Sequence, residues 1–64
     1  MVKQYIINLG EKFDGWEGEY YSHIKCWYGT RKRDATKYDR YKSQKLLSTI
    51  HKLGFTKAYI EEIQ

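Results

Sequence analysis

Residues 41–53 read YKSQKLLSTIHKL, and this stretch decides the fold class. Its large apolar residues recur at the spacing of one helical face: Leu46, Leu47, Ile50 and Leu53. Ser43 is of the type that caps helix N-termini, and Gly54 stands where a glycine commonly follows a helix. The pattern therefore predicts an amphipathic helix over 41–53, with a start as early as Asp39 also compatible.

The segments on either side of this helix are typical of strands. The first predicted strand, VKQYIINL over Val2–Leu9, places Tyr5, Ile7 and Leu9 on one face. The last, FTKAYIEEI over Phe55–Ile63, is also rich in β-branched and aromatic residues. Each segment alone is short, so we expect the helix to pack on the sheet that they form together.

The clearest alternation in the chain runs over Glu19–Gly29, EYYSHIKCWYG. We expect one continuous strand here, with Ile24 and Cys26 facing the core. Tyr21 and Trp27 would then lie on the opposite face, because successive side chains of a strand alternate. This strand and the first would form an antiparallel hairpin.

The predicted architecture is α+β in the order β-β-α-β: a three-stranded antiparallel sheet with one helix on one face. Residues 1–64 would form a single domain. The glycine-rich loop over 10–18 carries Phe13 and Trp16, which either cover a thin core or serve as exposed anchors. The basic connector over 30–40 leads into the helix.

Composition excludes several classes of protein. The chain has 64 residues, and Leu, Ile, Val and Phe make up about a fifth of it, so its core is small. We expect no membrane span, no secretory signal and, with Cys26 as the sole cysteine, no internal disulfide. These features favour a cytoplasmic location, in a bacterial host cell if the resemblance described below holds.

The charge is strongly uneven along the chain. The net charge is +4, but the segment from His23 to Lys57 holds ten basic and two acidic residues, and the remainder is net acidic. Such asymmetry indicates a face for an acidic partner, although a solvated helix face has the same appearance.

Nothing in the sequence forms a convincing reactive site. One Cys and two His do not supply a zinc site. His23 and Cys26 would point to opposite faces of a strand, and His51 near the end of the helix is explained by the helix dipole. The glycines match no phosphate-binding motif. We therefore expect no enzyme activity, no cofactor and no bound metal.

Two kinds of binding remain open. In the first, Tyr21, Trp27 and Tyr59 stack on nucleic-acid bases while basic side chains hold phosphates. In the second, aromatic and basic side chains form hot spots on a protein partner. The candidate binding residues are the same for both: Arg31, Lys32, Arg33, Lys37, Arg40, Lys42, Lys45, Trp16, Tyr21, Trp27 and Tyr28.

The stretch from Ala35 to Ile63 carries a resemblance. Tyr41, the cap residue Ser43, the Leu53-Gly54 stop and the final IEEI over 60–63 are arranged as in the C-terminal half of many small phage and prophage proteins. In size and order of elements the chain resembles, within that group, the anti-CRISPR proteins that inhibit Cas9.

The resemblance implies a binding protein that inhibits a host defence nuclease. Its basic residues would engage either guide RNA or an acidic patch of a Cas9-like effector, while Trp16, Trp27 and Tyr28 would act as apolar anchors. The alternative is a small nucleic-acid-binding domain for RNA or DNA. Both a monomer and a homodimer are compatible with the sequence.

Overall fold

The computed structural model describes residues 3–24 and 27–63. It contains one helix, one 3-10 turn and a sheet in the order β3-β2-β1-β4, in which every pairing is antiparallel. The elements are β1 (Gln4–Asn8), β2 (Tyr20–Ser22), β3 (Trp27–Thr30), the 3-10 turn (Lys32–Asp34), α1 (Arg40–Lys52) and β4 (Tyr59–Ile63). The α+β class is confirmed, but the predicted count of three strands is wrong, because the sheet has four.

The additional strand arises because the predicted strand over 19–29 folds back on itself. A turn at His23–Ile24 separates β2 from β3, and the two strands then pair with Tyr20 opposite Thr30. The turn is supported by side-chain oxygens, since the backbone N–H of His23 donates to Thr36 Oγ1 at 3.1 Å.

This hairpin overturns two expectations about side-chain faces. Ile24, expected in the core, lies in the turn and is 78% exposed. Tyr21, expected on the opposite face, is buried in the core at 8% exposure. Cys26, the other expected core residue, lies outside the described residues.

The core lies between α1 and the sheet. Ile7 and Leu9 of the first segment meet Ile50 of the helix, as the apolar spacing predicts. Each such side chain contributes about 1.5–3 kcal/mol when fully buried. Aromatic rings extend this small core: Trp16, Tyr21, Tyr28, Tyr38 and Phe55 all pack on it or belong to it.

The helix begins earlier than Ser43. Asp39 is the N-cap, and its Oδ1 accepts the backbone N–H of Lys42 at 2.7 Å. Ser43 instead lies buried in the first turn, where its hydroxyl donates to the Arg40 carbonyl at 2.8 Å. At the other end Gly54 adopts φ 113, a left-handed conformation that glycine takes without steric cost.

The last strand is shorter than the predicted range Phe55–Ile63, since β4 begins only at Tyr59. His51 donates from Nε2 to the carbonyl of Ala58 at 2.8 Å and so fixes the entry to β4. β4 pairs with β1 over its whole length, from Asn8 opposite Tyr59 to Gln4 opposite Ile63. β1 is therefore an inner strand of the sheet, with β2 on one side and β4 on the other.

Candidate functional site

The connector over 31–37, here called the basic strap, is held in place by backbone hydrogen bonds. Its 3-10 turn closes with the Asp34 N–H donating to the Arg31 carbonyl at 3.0 Å. The Thr36 N–H then donates to the carbonyl of Tyr21 at 3.2 Å. Tyr38 follows directly and exchanges two hydrogen bonds with Tyr5 of β1, at 2.8 and 2.9 Å. The strap thus follows directly from β3 at one end and is hydrogen-bonded to β2 and β1 at the other.

Two cations of the strap already have carboxylate partners. Arg31 Nε lies 3.2 Å from Glu17 Oε2, and Lys32 Nζ lies 3.5 Å from Glu61 Oε1. Both basic side chains are more than half exposed, so each pair contributes only about 0–1 kcal/mol to stability. These pairs position the strap against the acidic part of the chain.

Glu61 is the centre of a polar network on the face of the sheet opposite to Ile7. Its Oε2 accepts hydrogen bonds from Tyr20 Oη at 2.8 Å and from Asn8 Nδ2 at 3.0 Å. Burial on its own raises the pKa of the Glu61 carboxyl. The two hydrogen bonds and the Lys32 ammonium favour the charged form more strongly and hold that pKa below its ordinary value.

The same network shifts the pKa of Tyr20 in the opposite direction, upward. Burial, followed by the hydrogen bond to Glu61 and the negative charge of that carboxylate, raises the pKa of Tyr20 to about 12. Tyr20 therefore remains a neutral donor at physiological pH. Through the ion pair between Lys32 and Glu61, the network helps to hold the strap against the sheet.

The other cations over 31–45 form the candidate site. Within residues 3–24 and 27–63, no carboxylate lies within ion-pair distance of five exposed side chains: Arg33, Lys37, Arg40, Lys42 and Lys45. We call these five residues the basic surface. Two belong to the strap and three to the first half of α1, so they follow one another over 33–45.

The charge of α1 is unusual for an exposed helix. Its 13 residues include no Asp or Glu, and both Arg40 and Lys42 fall in its first turn. The helix macrodipole favours negative side chains at that end, and like charges three or four residues apart repel each other. Arg40 and Lys42 at the helix start, and Lys45 three residues after Lys42, therefore cost stability as isolated features and add to the positive potential there.

An exposed aromatic ring lies among these cations. Tyr41 is 69% exposed, and Lys45 Nζ lies 5.2 Å from the centre of its ring. A shallow groove of about 460 Å³ follows this side of the helix. It is lined by Tyr38, Tyr41, Lys42, Lys45, Leu46 and Thr49.

A second depression of about 380 Å³ lies beside the strap. Arg33 and Lys37 line it together with Ser22, Ile24, Asp34, Ala35 and Thr36. Asp34 contributes a negative charge there, so the depression is less uniformly basic than the groove along α1. The two depressions adjoin in sequence at Lys37 and Tyr38.

The aromatic candidates lie elsewhere than the sequence suggested. Tyr21 is buried, and its ring centre lies 5.5 Å from that of Tyr28. Tyr28 in turn stacks on Phe55 at 5.0 Å, and Trp16 packs between Phe13 and Phe55 at 4.8 and 6.2 Å. These rings fill the core or its margin, so Tyr21 does not present its face to a base. The side chain of Trp27 lies outside the described part of the chain.

Tyr41 is the residue that the sequence prediction did not select for binding. Its position in the helix held the signal, since Tyr41 is four residues before Lys45 and lies away from Leu47 and Ile50. An aromatic ring off the apolar face, among cations, is available for contact with a partner. Tyr38 packs on the core and also forms one wall of the groove.

No match to a known protein accompanies this surface. No protein-family model matches the chain, and comparisons with curated proteins and with solved structures also give no match. Among the described residues, no three His, Cys, Asp or Glu side chains come together as a metal site. The described helix is too short and too polar to cross a bilayer.

Proposed function

We propose that this protein is a non-catalytic binding protein that docks its basic surface on an anionic partner. The observation that carries the proposal is the concentration of five exposed cations within residues 33–45, none of which has a carboxylate partner in the described structure. Three of them lie on a helix that has no acidic residue. A partner that supplies negative charge would compensate the repulsion that this arrangement creates.

The distribution of the other charges supports the same proposal. Arg31 and Lys32 are turned toward Glu17 and Glu61, whereas Lys37, Arg40 and Lys42 remain exposed to solvent. The basic surface is thus set apart in sequence from Glu17 and Glu61, with Asp34 and Asp39 as the acidic residues that lie within its range. Such a separation steers an anionic partner to one side of the molecule and increases the association rate at low salt.

For the partner we propose a host defence nuclease of the Cas9 type, with its guide RNA. This part rests on the resemblance of Ala35–Ile63 to small phage and prophage proteins and to anti-CRISPR inhibitors among them. A guide-loaded nuclease offers exposed phosphates, and the inhibitor would act by occupying that surface. Tyr41 and Phe13, at 69% and 52% exposure, are the most exposed aromatic side chains whose exposure the structure describes, and they would serve as anchors.

The alternative function is a small domain that binds RNA or DNA without a protein target. The exposed ring of Tyr41 beside Lys42 and Lys45 favours it, because aromatic and basic side chains together are typical of such surfaces. It would use the helix, since Tyr21 is buried and leaves the sheet without that stacking ring.

Charge reversal at equal net charge tests the proposal. In one variant Arg33, Arg40 and Lys45 become Glu; in the control, the exposed residues Lys12, Lys52 and Lys57 become Glu. We expect the first variant to lose inhibition of target-DNA cleavage by a purified guide-loaded nuclease, and the control to keep it. Equal inhibition by both would contradict a role for the basic surface.

A capture experiment separates the two functions. The immobilised protein is incubated with host lysate before and after nuclease treatment. Retention of a nuclease effector after the nucleic acid has been digested supports contact with the protein. Loss of all captured material, together with direct binding of free oligonucleotides, favours the nucleic-acid-binding domain.

A further inference from the structure

The groove along α1 has two different walls and an apolar floor. Tyr38 forms a fixed wall, because both of its backbone groups bond to Tyr5 and its ring packs on the core. Tyr41 forms the other wall, and its ring is mostly exposed. Leu46, partly buried against the core, lies between them in the lining.

The rim of the groove is positive. Lys42 and Lys45 both line it, and they are neighbours on one side of the helix. No acidic residue lines this groove, in contrast to the depression beside the strap, where Asp34 is present. The groove thus combines a planar aromatic face, an aliphatic floor and two ammonium groups.

We propose that this groove binds single-stranded nucleic acid, with a base against the exposed ring of Tyr41 and phosphates at Lys42 and Lys45. This inference rests on the proposed function. It names the anionic partner at this groove as single-stranded nucleic acid. A base supplies the flat apolar face that the ring and Leu46 can contact. The phosphates supply the charge that the rim lacks.

The features of the groove favour a single strand over the other anionic partners. A duplex keeps its bases stacked inside, so its phosphates would meet the lysines while the ring of Tyr41 gained nothing. An acidic peptide would match the charge, but its carboxylates carry no planar ring for Tyr41. A volume of about 460 Å³ in a shallow groove suits one or two nucleotides.

The test separates the ring from the charge. Affinity is measured for a single-stranded oligonucleotide of about fifteen residues, for the corresponding duplex, and for heparin, a polyanion without bases. The variant Tyr41→Leu removes the ring and keeps the charge, and Tyr41→Phe restores the ring. Tyr59→Leu tests the sheet instead, where the sequence suggested a stacking ring; Tyr59 is also exposed, at 48%, but lies on β4 and does not line the groove. Circular dichroism verifies that each variant is folded.

We expect Tyr41→Leu to weaken single-strand binding by roughly 5- to 150-fold, the effect that corresponds to loss of one stacking aromatic. Heparin binding should stay unchanged, and Tyr41→Phe and Tyr59→Leu should bind as the wild type does. The double variant Lys42→Gln, Lys45→Gln should weaken both ligands and reduce the salt slope for the single strand by about 1.4, at roughly 0.7 per phosphate contact.

Two results would overturn the inference. One is a Tyr41→Leu variant that binds the single strand as tightly as the wild type; the other is a duplex bound as well as the single strand. In either case, heparin binding that depends on Lys42 and Lys45 would still support the proposed function, in which the basic surface docks on an anionic partner. Failure of heparin and of both oligonucleotides to bind would contradict the inference and leave the effector assay to decide the proposed function.

Discussion

The phenolic hydroxyl of Tyr20 donates a 2.8 Å hydrogen bond to Glu61 Oε2 and so links β2 to β4 across the intervening strand β1. Asn8 of β1 donates to the same oxygen at 3.0 Å. Three strands therefore converge on one carboxylate, and Lys32 adds the basic strap to it. Because the carboxylate is only partly exposed, these contacts are screened less than those of a surface pair.

The substitution Glu61→Gln should lower the free energy of unfolding by about 1–2 kcal/mol near neutral pH, because it weakens charge-assisted hydrogen bonds. The folded pKa of Glu61 lies below its ordinary value of 4.5. The stabilisation is thus present above that ordinary value and is lost as the pH falls through the lowered pKa. Urea unfolding from neutral to strongly acidic pH measures it.

For Glu61→Gln, the wild type and the variant should converge in stability in acid. Glu62→Gln provides the control, since Glu62 makes only an exposed pair with Lys3 at 3.6 Å. Its effect should stay below about 1 kcal/mol. A constant difference between Glu61→Gln and the wild type at all pH values would contradict the role of the charge.

Asp39→Ala should destabilise the protein by about 1 kcal/mol, because it removes the side chain that accepts the N–H of Lys42 at the start of the helix. Asp39→Asn is the matched control and should retain most of the stability, since asparagine also caps helices well. Thermal unfolding followed at a helix wavelength reports the difference. Equal losses in both variants would show that the negative charge, and not the cap, is what matters.

Gly29→Ala should cost roughly 2–4 kcal/mol, from a left-handed backbone together with a steric clash. Gly29 has φ 78, and an added Cβ would clash with the Trp16 ring. Gly15→Ala isolates the backbone contribution, because Gly15 has φ 91 and no atom lies within 4 Å of its added Cβ. Urea unfolding of the two variants should therefore differ; similar losses would argue against close packing of Trp16 on Gly29.

Ile24→Ser should change the stability by less than about 0.5 kcal/mol, as is usual for an exposed position. Ile24 is 78% exposed, whereas Ile50 is 1% exposed and lies between the helix and the sheet. Ile50→Ala should cost about 2–5 kcal/mol by the same measurement. A large loss at Ile24 would mean that the strand over 19–29 is continuous after all.

The helix could be read from the sequence because its signal is local and redundant. Leu46, Leu47 and Ile50 repeat with helical spacing, and Gly54 marks the end. The N-cap was less certain because Asp39 and Ser43 are both capping types, and only the hydrogen bond to Lys42 distinguishes them.

The β2–β3 hairpin could not be read in this way. Residues His23 and Ile24 form its turn without glycine, proline or asparagine, so the alternation of side chains runs through the turn unbroken. The turn depends on Ser22 and Thr36, and Thr36 is distant in sequence. The predicted sheet faces of Tyr21 and Ile24 are wrong for the same reason.

The candidate site was predictable in its charges and not in its geometry. The basic residues over 31–45 stand out in the sequence, yet only the fold shows that Arg31 and Lys32 pair with carboxylates. Likewise, Tyr41 and Tyr21 are the same residue type, yet Tyr41 is exposed and Tyr21 is buried. Tertiary packing alone assigns one to the surface and the other to the core.

The inner position of β1 has a consequence for the order of events in folding. β1 pairs with β4 from Gln4 opposite Ile63 to Asn8 opposite Tyr59, so its partner is among the last residues described. Contacts between such distant positions close slowly, since the intervening chain must be ordered first. A nascent chain that still lacks β4 would leave one side of β1 open to the wrong strands. The sheet therefore cannot be completed until β4 has been synthesised and is free to pair with β1.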